Sequence, residues 1–206
     1  MKLFDYDGPL MSLIRKLWSI LAAGVLFLIF CIPVFTAGAS FTALYDVTER
    51  NLKNDRGYVA RGFFESIRRN WRQTLPAGAV IAAVLFLFET DARLMRAFLE
   101  NGRAIGNMYI LFRVFQILLL LYSVWVFAQI ACFENGLKQI LKNALVLSIR
   151  HLGTSVIMAL LITAGAVVIW IMPVSVLIVP VLVAWFLTAL LGPVFRKYSG
   201  EEGGGI

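Results

Sequence analysis

The sequence predicts an all-α fold: a polytopic membrane helix bundle of about five transmembrane helices, with amphipathic helices at its interfaces. Three observations carry that prediction. First, the 206-residue chain is 60% hydrophobic and only 15% charged, whereas soluble domains run to roughly 45–50% apolar and about 25% charged. A core of this size cannot hide the surplus, so lipid is the solvent for much of the surface, as a mean hydropathy of +0.83 also indicates. Second, five apolar runs recur, at residues 18–35, 74–88, 108–133, 152–172 and 174–195, most of them near the 20 or so residues that cross a bilayer. Third, the Lys and Arg residues concentrate between the runs, as loops at a membrane surface do.

Taken in order, the chain opens with Leu10, Leu13, Ile14 and Leu17 at i, i+3, i+4 and i+7 beside Arg15 and Lys16. That spacing predicts a short interfacial helix. Trp18 then stands where an aromatic anchor would open the first span. Ala37-Gly38-Ala39 resembles a signal-peptide cleavage site. The apolar run before it is longer than the usual 7–15 residues or so of a signal peptide, and Pro33 interrupts its end, so a retained span is the expectation.

Residues 32–73 link the first two runs and hold seven of the 19 Lys and Arg residues. Inside them, residues 57–73 form the clearest amphipathic pattern in the chain. Ala60, Phe64, Ile67 and Trp71 share one face, with Phe63 on its flank; Arg61, Glu65, Arg68 and Arg72 share another. Glu65 is spaced to pair with Arg61, Arg68 or Arg69. Such a helix belongs at the interface, aromatic side in the acyl boundary and arginines among the headgroups. It reads either as a lipid-surface helix or as a docking helix for another protein. The run at 74–88 has only fifteen residues, short for a bilayer, so this helix should continue into it and complete the span.

The third run carries the polar residues deepest in the apolar sequence. On a helical wheel Tyr109, Arg113, Gln116, Ser123 and Glu134 share one stripe, with Tyr122 and Gln129 nearly opposite. Polarity on two sides places this span at the bundle centre, surrounded by protein. An intramembrane Arg costs about 2.5–3.5 kcal/mol on insertion scales, and Glu89 or Asp91 at the same boundary could offset that for Arg113. After it, residues 134–151 repeat the amphipathic design, with Lys138 and Lys142 opposite Leu137, Ile140, Leu141, Ala144 and Leu145. Ser148-Ile149-Arg150-His151 echoes Ser66-Ile67-Arg68-Arg69, which hints at a duplicated unit of interfacial helix plus span. The last run follows Pro173 and contains Pro180, tolerated in membrane helices when neighbouring groups satisfy the freed carbonyl. Residues 1–196 read as a single integral membrane domain and 197–206 as a disordered polar tail.

Charge sets the orientation. With five spans, one side holds six Lys and Arg residues and the other twelve, Arg113 aside. The positive-inside rule puts the twelve in the cytoplasm and the N-terminus outside. A net charge of +7 then reflects loops facing anionic lipid rather than a nucleic-acid partner. Cys31 and Cys132 sit in or beside apolar runs and read as small buried hydrophobes. A single histidine, His151, excludes His-based metal clusters, and no cofactor motif is present. No Walker loop, G-x-S-x-G, H-E-x-x-H or pair of acidic residues within a span appears, so no enzyme activity is expected.

Three stretches carry a resemblance. They are Phe4 to Leu10 (FDYDGPL), Ile32 to Val47 (IPVFTAGASFTALYDV) and Phe63 to Gln73 (FFESIRRNWRQ). Pro33, Thr36, Gly38, Ala39, Ser40, Thr42, Ala43 and Tyr45, followed by Phe63, Phe64 and Asn70, resemble the pattern of the YesL family of bacterial membrane proteins. Phe41 departs from it, standing where a small polar residue is expected. The likeness is close over about the first 75 residues and continues only as hydropathy beyond them. It implies a plasma membrane protein of the Gram-positive type with no established activity. Because members are often encoded beside carbohydrate ABC transporters and glycoside hydrolases, it also implies an accessory role in sugar uptake, with transporter subunits as partners. From the residues themselves, Gly38-Ala39-Ser40 offers close helix packing and Pro33 a stop or kink.

Two functions follow as expectations. The first is a non-enzymatic accessory subunit in the lipid bilayer, whose basic helices (Arg61, Arg68, Arg69 and Arg72) dock a partner. The second is a small-solute transporter or channel that uses Arg113, Gln116, Ser123 and Gln129.

Overall fold

The computed structural model describes residues 9–33, 36–52, 58–101 and 104–202, with side-chain surroundings for most of them. Residues 4–8 of the first motif, Phe35 at the end of the first apolar run and residues 203–206 of the tail lie outside the described residues. Seven α-helices make up the described chain: α1 (Pro9–Cys31), α2 (Ala37–Val47), α3 (Val59–Glu100), α4 (Met108–Cys132), α5 (Leu137–Arg150), α6 (Leu152–Ile171) and α7 (Val179–Glu202). A π-helical turn at Thr48–Leu52 and 3-10 turns at Ala104–Asn107 and Pro173–Leu177 join them, and no strand occurs among the described residues. α3, α4, α6 and α7 are each long and apolar enough to cross a membrane; the apolar part of α1, Lys16–Cys31, is shorter. The first span, expected at residues 18–35, ends four residues early, at Cys31.

The reason is local. α1 stops at Cys31 because Pro33 follows; the Thr36 hydroxyl turns back to donate to the carbonyls of Phe30 (2.6 Å) and Pro33 (2.8 Å). Those bonds occupy carbonyls that the helix end leaves free. At its other end α1 begins with Pro9, whose missing N–H costs nothing in a first turn. The interfacial helix and the first span are thus one helix of 23 residues.

The same fusion occurs in α3, as the short second run requires. Its 42 residues reach about 63 Å at 1.5 Å per residue, roughly twice the hydrocarbon thickness of a bilayer. Pro76 lies inside it and removes one backbone bond without ending the helix. Beyond Phe88 the helix runs on to Glu100, with the i,i+4 pairs Glu89–Arg93 and Arg96–Glu100 on its surface. α5 and α6, by contrast, are separate. His151 breaks between them with φ −115° and ψ 50°, so the second copy of the amphipathic-plus-span design is kinked where the first is continuous.

α2 is the most enclosed element. Nine of its eleven residues are buried, and it packs against α1, α3, α4 and α7. Small side chains make that possible: a Cβ on Gly38 would overlap the Phe127 ring of α4. Ser40 donates to the carbonyl of Phe27 on α1 (2.9 Å), and Thr42 to those of Gly38 (2.9 Å) and Phe127 on α4 (3.3 Å). α2 also joins two cores. Tyr45 belongs to the larger one, with Trp125, Ile130, Ile140, Met158 and Leu187. Ala43, Leu44 and Val47 belong to the smaller one, with Ala23, Phe63, Val181 and Ala184.

The central place expected for α4 therefore goes to α2. Only the second half of α4, from Ser123 to Ala131, is buried; Ile110, Leu111, Val114, Phe115, Ile117 and Leu118 are exposed and face the lipid. α7 continues as a helix to Glu202, past the point where a disordered tail is expected, and Tyr198 anchors it by packing edge-on against His151. Pro180 falls in its first turn rather than its interior.

Candidate functional site

Two regions gather the polar residues of the sequence. The first lies among α1, α2, α3 and α4, around a partly open cavity of about 570 Å³. Phe27, Phe41, Ile81, Leu85, Phe86 and Phe127 supply its apolar walls; Ala37, Gly38, Gly78 and Ala82 leave the space by lacking bulk. The departure at Phe41 has a visible result here, since its ring packs on Phe127 with centroids 6.4 Å apart.

Glu89 and Gln116 close one end of this cavity. Arg113 Nη1 donates to Glu89 Oε2 (2.7 Å) and to Gln116 Oε1 (2.7 Å), and Gln116 Nε2 donates to Glu89 Oε2 (3.2 Å). Arg93 Nε donates to the other carboxylate oxygen, Oε1, at 2.8 Å. Arg113 also lies over the Tyr109 ring, 5.5 Å from its centroid. The partner expected for Arg113 is thus Glu89 rather than Asp91.

The rest of the polar stripe of α4 is spoken for locally. Ser123 lines the same cavity but donates to Leu120 O (2.6 Å). Tyr122 donates to Leu141 O on α5 (3.0 Å). Gln129 is buried against α5, with its amide nitrogen set 3.2 Å from Ile140 O and its amide oxygen 3.2 Å from Ala144 N.

The second region is the N-terminal part of α3. Its buried stripe is Val59, Phe63, Ser66, Thr74 and Ala77, one position away from the stripe the spacing suggests. Phe63 goes fully into the core, while Phe64 (52%) and Trp71 (48%) remain exposed. Phe30 of α1 meets both phenylalanines, at 5.8 Å from Phe63 and 5.6 Å from Phe64. Arg69 donates to Asp46 Oδ2 of α2 (2.8 Å) instead of pairing with Glu65. Asp46 Oδ1 takes Arg50 Nε at 2.6 Å. Arg61, Arg68 and Arg72 are exposed, with Arg72 lying over Trp71 at 5.9 Å. Asn70 contributes to the helix: its carbonyl accepts from Thr74 Oγ1 at 3.0 Å. Below it, Gln73 Nε2 donates to Asn135 O (3.1 Å), tying α3 to the turn before α5.

Sequence reasoning missed two hubs. Asp46, 6% exposed, organises two arginines, and its i,i+4 spacing from Arg50 was the available signal. Gly24 was the other. Its Cβ position is taken by the carbonyl oxygen of Leu177, in the turn before α7, and a lone glycine in an apolar run gives no warning of that.

A bundle of apolar helices with a polar-capped cavity among them defines a multi-pass integral membrane protein. Residues 20–92, which hold the second half of α1, all of α2 and α3 just past Glu89, match DUF624, a family of proteins of unknown function. No curated protein and no solved structure matches the chain.

Proposed function

We propose that this is a non-enzymatic accessory protein of the bacterial plasma membrane, with its N-terminus outside, and that it docks a partner through the basic end of α3. The supporting observation is the arrangement of that helix end. Val59, Phe63 and the Asp46–Arg69 pair key it into α1 and α2, so that Phe64, Trp71, Arg61, Arg68 and Arg72 are presented outward in a fixed orientation. A preorganised aromatic and cationic face loses little freedom on binding, and Arg and Trp are the residue types that anchor interfaces. The resemblance to the YesL family points to subunits of a carbohydrate ABC transporter as that partner. Solute transport along α4 has less support: Gln116 and Ser123 line the cavity, but Tyr122 and Gln129 turn away from it to bond α5.

Affinity purification from native membranes tests the docking role. The protein should bring down permease subunits. The triple substitution Arg61→Gln, Arg68→Gln and Arg72→Gln should weaken that capture, and added salt should weaken it further. If the triple variant retains every partner of the wild type, the docking role is wrong and α3 only lies against lipid.

A further inference from the structure

We propose that the cavity among α1, α2, α3 and α4 holds one acyl chain of an anionic membrane lipid, whose headgroup rests on Arg113 and Arg93. Three features lead there. The walls come largely from α3 and α4, which are long and apolar enough to cross a membrane, and Phe86 on the rim is 72% exposed, so the medium at the opening is lipid hydrocarbon rather than water. The cavity volume, about 570 Å³, falls within the roughly 300–1,000 Å³ typical of ligand sites; its carboxylate and amide, Glu89 and Gln116, are bonded together, and the Ser123 hydroxyl is taken by Leu120 O. A guest matching it is an amphiphile with a long apolar part and one polar end.

The charge at that end selects the headgroup. Two guanidinium groups, Arg93 and Arg113, share the single carboxylate of Glu89, which leaves one positive charge over. Asp91 does not cancel it locally, because two residues along a helix is about 200° around its axis. The Arg93 side chain is 77% exposed and that of Arg113 36%, so both have donors available. A phosphate monoanion fits this end. A zwitterionic headgroup would bring its own cation against two arginines. This site is separate from the docking surface of α3, and its test reads lipid retention rather than partner capture.

Native mass spectrometry of the purified protein, with phosphatidylglycerol or phosphatidylcholine of identical chains added, decides the matter. The wild type should retain one phosphatidylglycerol at least tenfold more than phosphatidylcholine. Ala82→Trp, which fills the cavity, should abolish retention of both lipids. Ala82→Leu, a smaller obstruction measured beside it in case the indole unfolds the protein, should reduce retention severalfold. Arg93→Gln with Arg113→Gln should bring phosphatidylglycerol down to the level of phosphatidylcholine. Equal retention of the two lipids by the wild type would overturn the proposal, and so would undiminished retention in a folded Ala82 variant.

Discussion

At the scale of single residues, two glycines in apolar helices have opposite meanings. Gly24 faces the backbone oxygen of Leu177, whereas nothing lies within 4 Å of the Cβ position of Gly192. Gly24→Ala must push backbone apart and should cost about 1–3 kcal/mol, the usual range for overpacking. Gly192→Ala adds helix propensity and should be neutral or stabilising by up to about 1 kcal/mol. Thermal unfolding in detergent separates them: the first should lower the midpoint by several degrees and the second should not. The sequence shows both as Gly among Leu and Ala, because the difference is made by an element more than 150 residues away. Arg113 was legible, since a charge in an apolar run demands a partner, and Glu89 supplied one.

Among the elements, α3 is where reading and structure part most clearly. The period is right, but the buried face is one residue off. Phe63 and Phe64 are adjacent aromatics on neighbouring faces, and periodicity alone cannot choose between them when lipid and protein both accept apolar groups. The choice is made by α1 and α2, which place Ala23, Ala43 and Leu44 against Phe63. Phe63→Ala should therefore cost on the order of 3 kcal/mol, while Trp71→Ala, at a half-exposed site, should cost less than half as much. Chemical denaturation of both variants checks this. A larger loss for Trp71 would mean that the lipid-facing stripe holds the helix. The other shortfall, splitting α1 into a surface helix and a span, has a plain origin: a change of composition along a helix is not a break signal.

For the whole molecule, the charge count assigns each connecting segment to a side, while the centre was not legible. Gln73 with Asn135, and His151 with Tyr198 (3.3 Å), link segments that the charge count assigns to one side. Single cysteines can test the assignment in a background lacking Cys31 and Cys132. Glu65→Cys and Lys142→Cys should resist impermeant thiol reagents in intact cells, and Asn101→Cys should react. Labelling of the first two from outside would invert the topology. The centre escaped because a core helix in lipid need not be the most apolar one. α2 fills that place with Gly, Ala, Ser and Thr, whose value is close approach and hydrogen bonding where burial gains little over lipid.

The length of α3 has a mechanical consequence. Glu89, at the mouth of the cavity, and Arg61, on the outward basic face, are 28 residues apart on one unbroken helix, about 42 Å. No loop separates them to absorb motion. Between them α2 grips the shaft at Arg69, so the helix behaves as a beam on a fulcrum. Arg69 is 20 residues from Glu89 and 8 from Arg61, so a tilt of about 5°, whether imposed by bilayer thickness or by a pull on Glu89, moves the cavity end by about 2.6 Å and the basic end by about 1 Å in the opposite sense.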